Sequence, residues 1–215
     1  MQRLELVHDW LARQFPGRPL SVAPASADAS FRRYFRITFD DGLTRIVMDA
    51  PPEHEDCRPF VHVAGLLHEA GVHAPEILAQ DLERGLLLLT DLGSTTYLDA
   101  LDASNADVLF RDALDALVKW QLASRPDALP PYDEALLRRE LNLFPDWYVA
   151  RHLGSPLTAP QQEVLEQVQA LLLQNILAQP RVFVHRDYMP RNLMVCADNP
   201  GVLDFQDAVH GPISY

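Results

Sequence analysis

Apolar residues are spaced differently in the two parts of this chain. Leu4, Val7, Trp10, Leu11 and Phe15 recur at helical intervals, so residues 3–15 are expected to form an amphipathic helix stopped by Pro16-Gly17. Residues 23–30 are small and polar and read as a loop. Phe31–Phe39 then alternates apolar with polar side chains, Asp40-Asp41-Gly42 turns, and Thr44–Met48 returns, which is the pattern of a hairpin. A helix is expected over 58–70, with Phe60, Val63, Ala64, Leu66 and Leu67 on one face and Gly71 at its end. Ile77–Ala79 and Leu86–Leu89 bracket a turn and make a second hairpin. From Asn105 the period lengthens. One helix carries Leu109, Ala113, Leu117 and Leu122; another runs over about 133–152 with an interruption at Pro145; a third starts near Pro160 and stops before Pro180. This pattern predicts an α+β protein, strand-rich to about residue 89 and helix-rich from about 104 to 180.

The last quarter returns to short apolar runs, Val182–Val184, Leu193–Cys196 and Val202–Phe205, interleaved with polar clusters. Asp198-Asn199-Pro200-Gly201 are turn formers, so the second half reads as a hairpin with a four-residue loop. Centred between Asp198 and Asn199, that hairpin sets Leu193 opposite Asp204 and brings Asn192 beside Asp204. An amide oxygen and a carboxylate converging there are hard ligands of the kind Mg2+ prefers. Asp187 stands five residues earlier, placed to act on a substrate near such a metal.

Composition narrows the field. The chain has 215 residues, 48% hydrophobic, enough for one large domain or two small lobes. A formal net charge of -12 argues against binding nucleic acid through its phosphates. Cys57 and Cys196 are too few for a disulfide scaffold and read as thiols, and neither CxxC nor HExxH occurs. The N-terminus is charged and amphipathic rather than a secretory signal, and no run approaches the roughly 20 apolar residues of a spanning helix. A cytoplasmic protein without membrane partner is expected.

His185-Arg186-Asp187-Tyr188-Met189-Pro190-Arg191-Asn192 followed by Leu203-Asp204-Phe205 resembles the catalytic and metal-binding segments of protein kinases and aminoglycoside phosphotransferase-type small-molecule kinases. The resemblance implies a two-lobed kinase-like fold, with a small β-rich N-lobe over residues 1–92 and a mainly helical, incomplete C-lobe over 93–215. It implies ATP and Mg2+ as cofactors, Asp187 as the group that orients the acceptor hydroxyl, Asn192 and Asp204 as metal ligands, and His185 as a structural member of the loop. Thr90, Asp91 and Leu92 resemble the inter-lobe linker whose backbone binds adenine. Two features depart from the protein-kinase pattern: residues 25–30 contain no glycine, and Ile46-Val47-Met48-Asp49 contains no lysine. Ser30, Arg32 and Arg33 are then the candidate phosphate contacts, because arginine can clamp phosphate.

On the acceptor side, Glu140, Asp146 and Trp147 combine carboxylates with an aromatic ring, a set that suits a sugar and equally suits an amphipathic helix. Asp207 is either a helper of the metal region or a helix cap. The segments Ala25–Phe35, Val47–Pro52, Glu55–Phe60, Glu140–Tyr148 and His185–Tyr215 are together similar to bacterial N-acetylmuramate/N-acetylglucosamine kinases of peptidoglycan recycling. That resemblance implies phosphorylation of an anomeric hydroxyl, a small amino-sugar substrate and no obligate protein partner, with further helical lobe expected after Tyr215. Other small hydroxyl acceptors (an aminoglycoside, choline, homoserine or methylthioribose) and a non-catalytic nucleotide-binding fragment are the alternatives.

Overall fold

The computed structural model describes residues 2–27 and 31–215. Two compact units are formed, residues 1–119 with 187–207, and residues 120–186 with 208–215. Residues 187–207 group with the strand-rich part of the chain.

In the first unit, helix α1 (Gln2–Gln14) precedes strands β1 (Leu20–Ala27), β2 (Arg33–Phe39), β3 (Thr44–Asp49), β4 (Ile77–Asp81) and β5 (Leu86–Thr90). They form one antiparallel sheet in the order β1-β2-β3-β5-β4. The expected loop at 23–30 is therefore strand as far as Ala27. Pro24 lies within it because β1 is an edge strand, where a missing N–H costs little, and the register shifts between Pro24 and Ser26. Alternation along β2 drives Phe35, Ile37 and Phe39 to one side, against Val7, Trp10 and Leu11 of α1 and Val47, Leu86 and Leu88 of the sheet. Each side chain so withdrawn from water contributes about 1.5–3 kcal/mol.

Helix α2 (Arg58–Glu69) buries Phe60, Val63, Ala64, Leu66 and Leu67. After β5, helix α3 (Tyr97–Ala100) is fixed by a reciprocal cap: the Thr96 hydroxyl accepts from the Asp99 N–H, and the Asp99 carboxylate accepts from the Thr96 N–H. Helix α4 (Ala106–Leu122) leads out of the unit.

The second unit holds α5 (Glu134–Leu141), a π-helical segment (Phe144–His152), α6 (Ala159–Leu177) and the paired strands β6 (Arg181–Val184) and β9 (Val209–Pro212). Asp133 caps α5 through the Leu136 N–H at 2.9 Å. The interruption expected at Pro145 takes the form of a change in winding, with the Leu153 N–H donating to the Tyr148 carbonyl five residues back. Tyr132, Leu137, Leu173, Val184 and Val209 form the core of this unit. Among the described residues, no helix is long and apolar enough to cross a membrane.

Candidate active site

Asp187 opens a loop that braces itself. The Asp187 carbonyl accepts from the Met189 N–H at 2.9 Å, the Asn192 N–H reaches the Met189 carbonyl at 2.8 Å, and residues 190–192 form one tight turn. The Asn192 side-chain amide closes the ring by donating to the Asp187 carbonyl at 2.9 Å. Tyr188 ties the loop to α4 through its hydroxyl and the Ala113 carbonyl at 2.6 Å, and burial raises the pKa of that phenol. The Asp187 side chain is half-buried.

Strands β7 (Leu193–Met194) and β8 (Gly201–Val202) follow. Their register pairs Leu193 with Val202 and Met194 with Gly201, and the Leu203 N–H bonds to the Asn192 carbonyl at 2.9 Å. Leu193 is thus not opposite Asp204. The pairing is shifted by two residues and the loop is longer, because Asn199 reaches out to the Tyr97 hydroxyl and the Asp112 carboxylate at 2.7 Å each instead of sitting in a tight turn. The consequence for the site is small. Asn192 and Asp204 still adjoin, with the Asn192 amide nitrogen 3.3 Å from Asp204 Oδ2.

Asp204 has φ 59°, a left-handed backbone that aspartate tolerates better than most side chains. Its Oδ1 accepts from Gln206 Nε2 at 2.9 Å, and the same Gln206 nitrogen lies 3.3 Å from Asp207 Oδ2. Asp207 is therefore linked to Asp204 through Gln206, a residue the sequence reading passed over. Phe205, packed on Phe60 of α2 at 4.6 Å between ring centroids, holds this stretch in place.

The donor set fits Mg2+. Both hydrogens of the Asn192 amide are directed to oxygen acceptors, the Asp187 carbonyl and Asp204 Oδ2, and the Asn192 amide oxygen and the Asp204 carboxylate would be the ligands. Among the described residues, no three His, Cys, Asp or Glu side chains gather as a metal cage. Two oxygen ligands with the remainder supplied by phosphate and water is the usual Mg2+ arrangement at nucleotides.

The two arginines expected at phosphate part company. Arg33 is hydrogen-bonded through Nε (3.1 Å) and Nη2 to the fully buried Asp49, which also binds Arg3 of α1. Arg32 instead stands 3.6 Å from Asp204 Oδ1 and 4.0 Å from Glu55 Oε2. Ser30 lies outside the described residues.

Thr90, Asp91 and Leu92 line a cleft of about 350 Å3 with His73, Glu76 and residues 196–198. The Asp91 carboxylate is committed to Arg36 (2.6 and 3.0 Å) and to the Gly93 N–H (3.0 Å). Burial alone raises its pKa, but the hydrogen bonds from Arg36, Gly93 and Thr44 outweigh burial and hold it below the ordinary carboxylate value. Leu92 rests on Gly201 of β8, where an added Cβ would come within 2.7 Å of Leu92 Cδ1. Burial pushes the Cys57 thiol up to about 11 and raises that of Cys196, so both are protonated thiols at neutral pH.

The acceptor-side candidates lie in the second unit. Glu140 is engaged by Arg186 Nη2 at 2.5 Å and by the buried Tyr132 hydroxyl, which makes it a brace for the left-handed Arg186 (φ 75°). Trp147 is about half exposed with the Arg151 guanidinium 3.9 Å above its ring. Asp146 lines a cavity of about 610 Å3 together with Arg138, Asn142, Gln162 and Glu166. That cavity is the larger of the two described, yet Asp187, Asn192 and Asp204 are not on its walls, so volume alone does not mark the chemistry. His185 is buried.

Residues 21–215 match the phosphotransferase enzyme family. The chain belongs to that family. Two curated relatives are the N-acetylmuramate/N-acetylglucosamine kinases of Pseudomonas aeruginosa, 62% identical over 197 residues, and of Neisseria meningitidis serogroup B, 45% identical over 219 residues. The matches cover 92% and 100% of this chain, but only 58% and 65% of those proteins. Among solved structures, choline kinase LicA from Streptococcus pneumoniae superposes with a TM-score of 0.66 at 13% identity, over 97% of this chain and 70% of that one. ADP-bound aminoglycoside phosphotransferase APH(2'')-Ib gives 0.64 at 14%, over 96% and 72%. Phosphotransferases of this family share the two-lobed α+β kinase-like fold, and this chain has it.

Proposed function

We propose that the protein carrying this chain transfers the γ-phosphate of ATP to the anomeric hydroxyl of N-acetylmuramate or N-acetylglucosamine, giving the sugar 1-phosphate in the cytoplasm for reuse of cell-wall sugars. The observation that carries the chemistry is the adjacency of Asn192 and Asp204 beside the braced Asp187 loop. The choice of acceptor is supported by the identity to relatives whose names carry those two sugars.

Asn192 and Asp204 would hold Mg2+, with Gln206 orienting the Asp204 carboxylate. Bound there, the ion offsets charge on the β- and γ-phosphates. Asp187 orients the sugar hydroxyl and takes its proton as the new O–P bond forms and the bond to the departing ADP oxygen breaks. Thr90, Asp91 and Leu92 present backbone to the adenine edge, while the Asp91–Arg36 pair keeps that peptide in place. On the acceptor side, Asp146 and Trp147 are candidates for sugar hydroxyls and ring face.

Incubating the full-length protein with Mg2+-ATP and a panel of amino sugars, choline and aminoglycosides tests this reading. Phosphorus NMR is expected to find the new phosphate on the anomeric oxygen of one of the two sugars. Asp187→Asn is expected to lower kcat by about 10²–10⁴-fold. An Asp187→Asn protein as fast as its parent ends the kinase assignment. Consumption of another acceptor with neither sugar touched ends the sugar assignment.

A further inference from the structure

The two halves of the candidate site are short pieces of chain. Strands β7 and β8 have two residues each, and the loop from Asp187 to Asn192 contains one tight turn. Elements this short do not hold a position by themselves. Both are tied to helix α4, and at neighbouring residues. The hydroxyl of Tyr188, next in the chain to Asp187, donates to the buried Ala113 carbonyl at 2.6 Å. One residue earlier in the helix, Asp112 Oδ2 accepts from Asn199 Nδ2 at 2.7 Å. Asn199 belongs to the loop between β7 and β8, and its amide also reaches the hydroxyl of the fully buried Tyr97 of α3 at 2.7 Å. Helix α4 has 17 residues, and both attachments fall near its middle, away from the ends that fray.

Asn199 is a poor stabiliser. Both hydrogens of its amide are used, but its Oδ1 is buried and accepts no hydrogen bond from the described residues, a cost comparable to what the other bonds return. The hairpin is also held by backbone alone: the Val195 N–H donates to the Thr95 carbonyl at 2.9 Å, and the Val202 N–H to the His73 carbonyl at 2.8 Å. What the Asn199 side chain adds is a fixed link from the loop to α4. Burial pushes the Tyr97 phenol up to about 12 and raises that of Tyr188, so neither ionises near neutral pH.

We propose that the Asp112-Ala113 step of α4 is the common anchor of the site, with Tyr188 and Asn199 as positioning residues, the first holding Asp187 and the second the hairpin that carries Asn192 and Asp204. This rests on the function proposed above. Phosphoryl transfer needs the hydroxyl-orienting carboxylate and the ion placed to a fraction of an ångström, and two attachments one residue apart on a helix meet that need. Neither side chain touches a reacting atom. Each acts through the segment it belongs to.

Steady-state phosphoryl transfer by the full-length protein, with Mg2+ varied and melting temperatures taken alongside, tests the inference in four variants: Asn199→Ala, Asn199→Asp, Asn199→Asp combined with Asp112→Asn, and Tyr188→Phe. Asn199→Ala is expected to raise the Mg2+ concentration for half-maximal rate about three- to tenfold with the melting temperature hardly moved, less than the roughly 10–100-fold cost of losing a group bonded to a metal ligand. Asn199→Asp sets two carboxylates together and should raise it at least as far, although attraction of the added negative charge for Mg2+ would by itself lower it. The combination puts a donor opposite an acceptor again at unchanged net charge, and should return the requirement to within about twofold of the parent. Tyr188→Phe is expected to lower kcat at saturating Mg2+ by about tenfold and to keep the Mg2+ requirement. Losses that only follow the melting temperature, a Mg2+ requirement unmoved or lowered by both Asn199 substitutions, a combination no better than Asn199→Asp, or an unaltered kcat in Tyr188→Phe overturns it. A parent that transfers phosphate beside variants that match it defeats this inference alone; a parent that transfers none defeats the proposed function and this inference with it.

Discussion

Adjacent arginines here serve two carboxylates in opposite ways. Arg33 meets Asp49 through direct hydrogen bonds, with Arg3 on the same carboxylate, and Asp49 is withdrawn from water altogether. Arg32 meets Asp204 across 3.6 Å, and the Asp204 side chain is 37% exposed. The first is a dry joint between α1 and the sheet. The second is a longer contact whose acid stays open to water. Contact distance and the dryness of the acid, not residue type, set the cost of opening each pair, because opening a desolvated acid strands a charge whereas water compensates a hydrated one.

Replacing each aspartate by asparagine sets the two pairs against each other. Asp204→Asn removes one charge at a left-handed position that asparagine also accepts. The Mg2+ concentration needed for half-maximal phosphoryl transfer is expected to rise by at least the roughly 10–100-fold that loss of an outer-shell partner costs, with the melting temperature hardly moved. Asp49→Asn is expected to do the converse. Denaturant unfolding should show a loss of about 2–3 kcal/mol, below the ~3–5 kcal/mol of a wholly buried pair because Arg3 and Arg33 are 27% and 46% exposed, and the Mg2+ requirement should stay as it was. If both substitutions lower stability equally, the contrast between the pairs is broken.

The smallest expected effect belongs to Asp91, a third carboxylate held by an arginine. Its folded pKa lies below the ordinary 3.8, so its contribution to stability is present above that value and disappears as pH falls through the lower folded pKa. Thermal melts of parent and Asp91→Asn proteins should therefore differ at neutral pH and converge in strong acid. A gap that stays constant down to the lowest pH would mean that the charge of Asp91 contributes nothing.

Much of this was legible in the sequence. The periodicities located α1, α2, α4 and α6 to within a residue or two, and the hairpin spacing anticipated that Asn192 and Asp204 would adjoin. β1 was missed because Pro24 and its small neighbours look like loop, and only an edge position makes them a strand. The hairpin register slipped because the pull on Asn199 comes from Tyr97 and Asp112, about a hundred residues away in the chain. The sorting of Arg32 from Arg33 was not open to strand alternation, since Arg33 opens β2 and Arg32 precedes it. What no local pattern disclosed was that Asp49 would be fully buried and would take up both Arg33 and Arg3.

The second unit gives a different lesson. α6 buries only Gln169 and Leu173, while Val164, Val168, Leu171 and Leu172 are all more than two-fifths exposed. A helix apolar around its circumference has a sequence pattern that cannot say which face is inside. Glu140, Asp146 and Trp147, on α5 and the π-helical segment, became a brace, a cavity wall and a surface ring only in the structure.

The absence of a side chain at Gly201 lets Leu92 lie directly against β8. Leu92 and strand β8 thus meet with no side chain of residue 201 between them. A methyl group added there would have to push the linker outward or the hairpin inward. Under the proposed function, a substitution at Gly201 would therefore disturb the base-binding stretch and the metal-binding hairpin together.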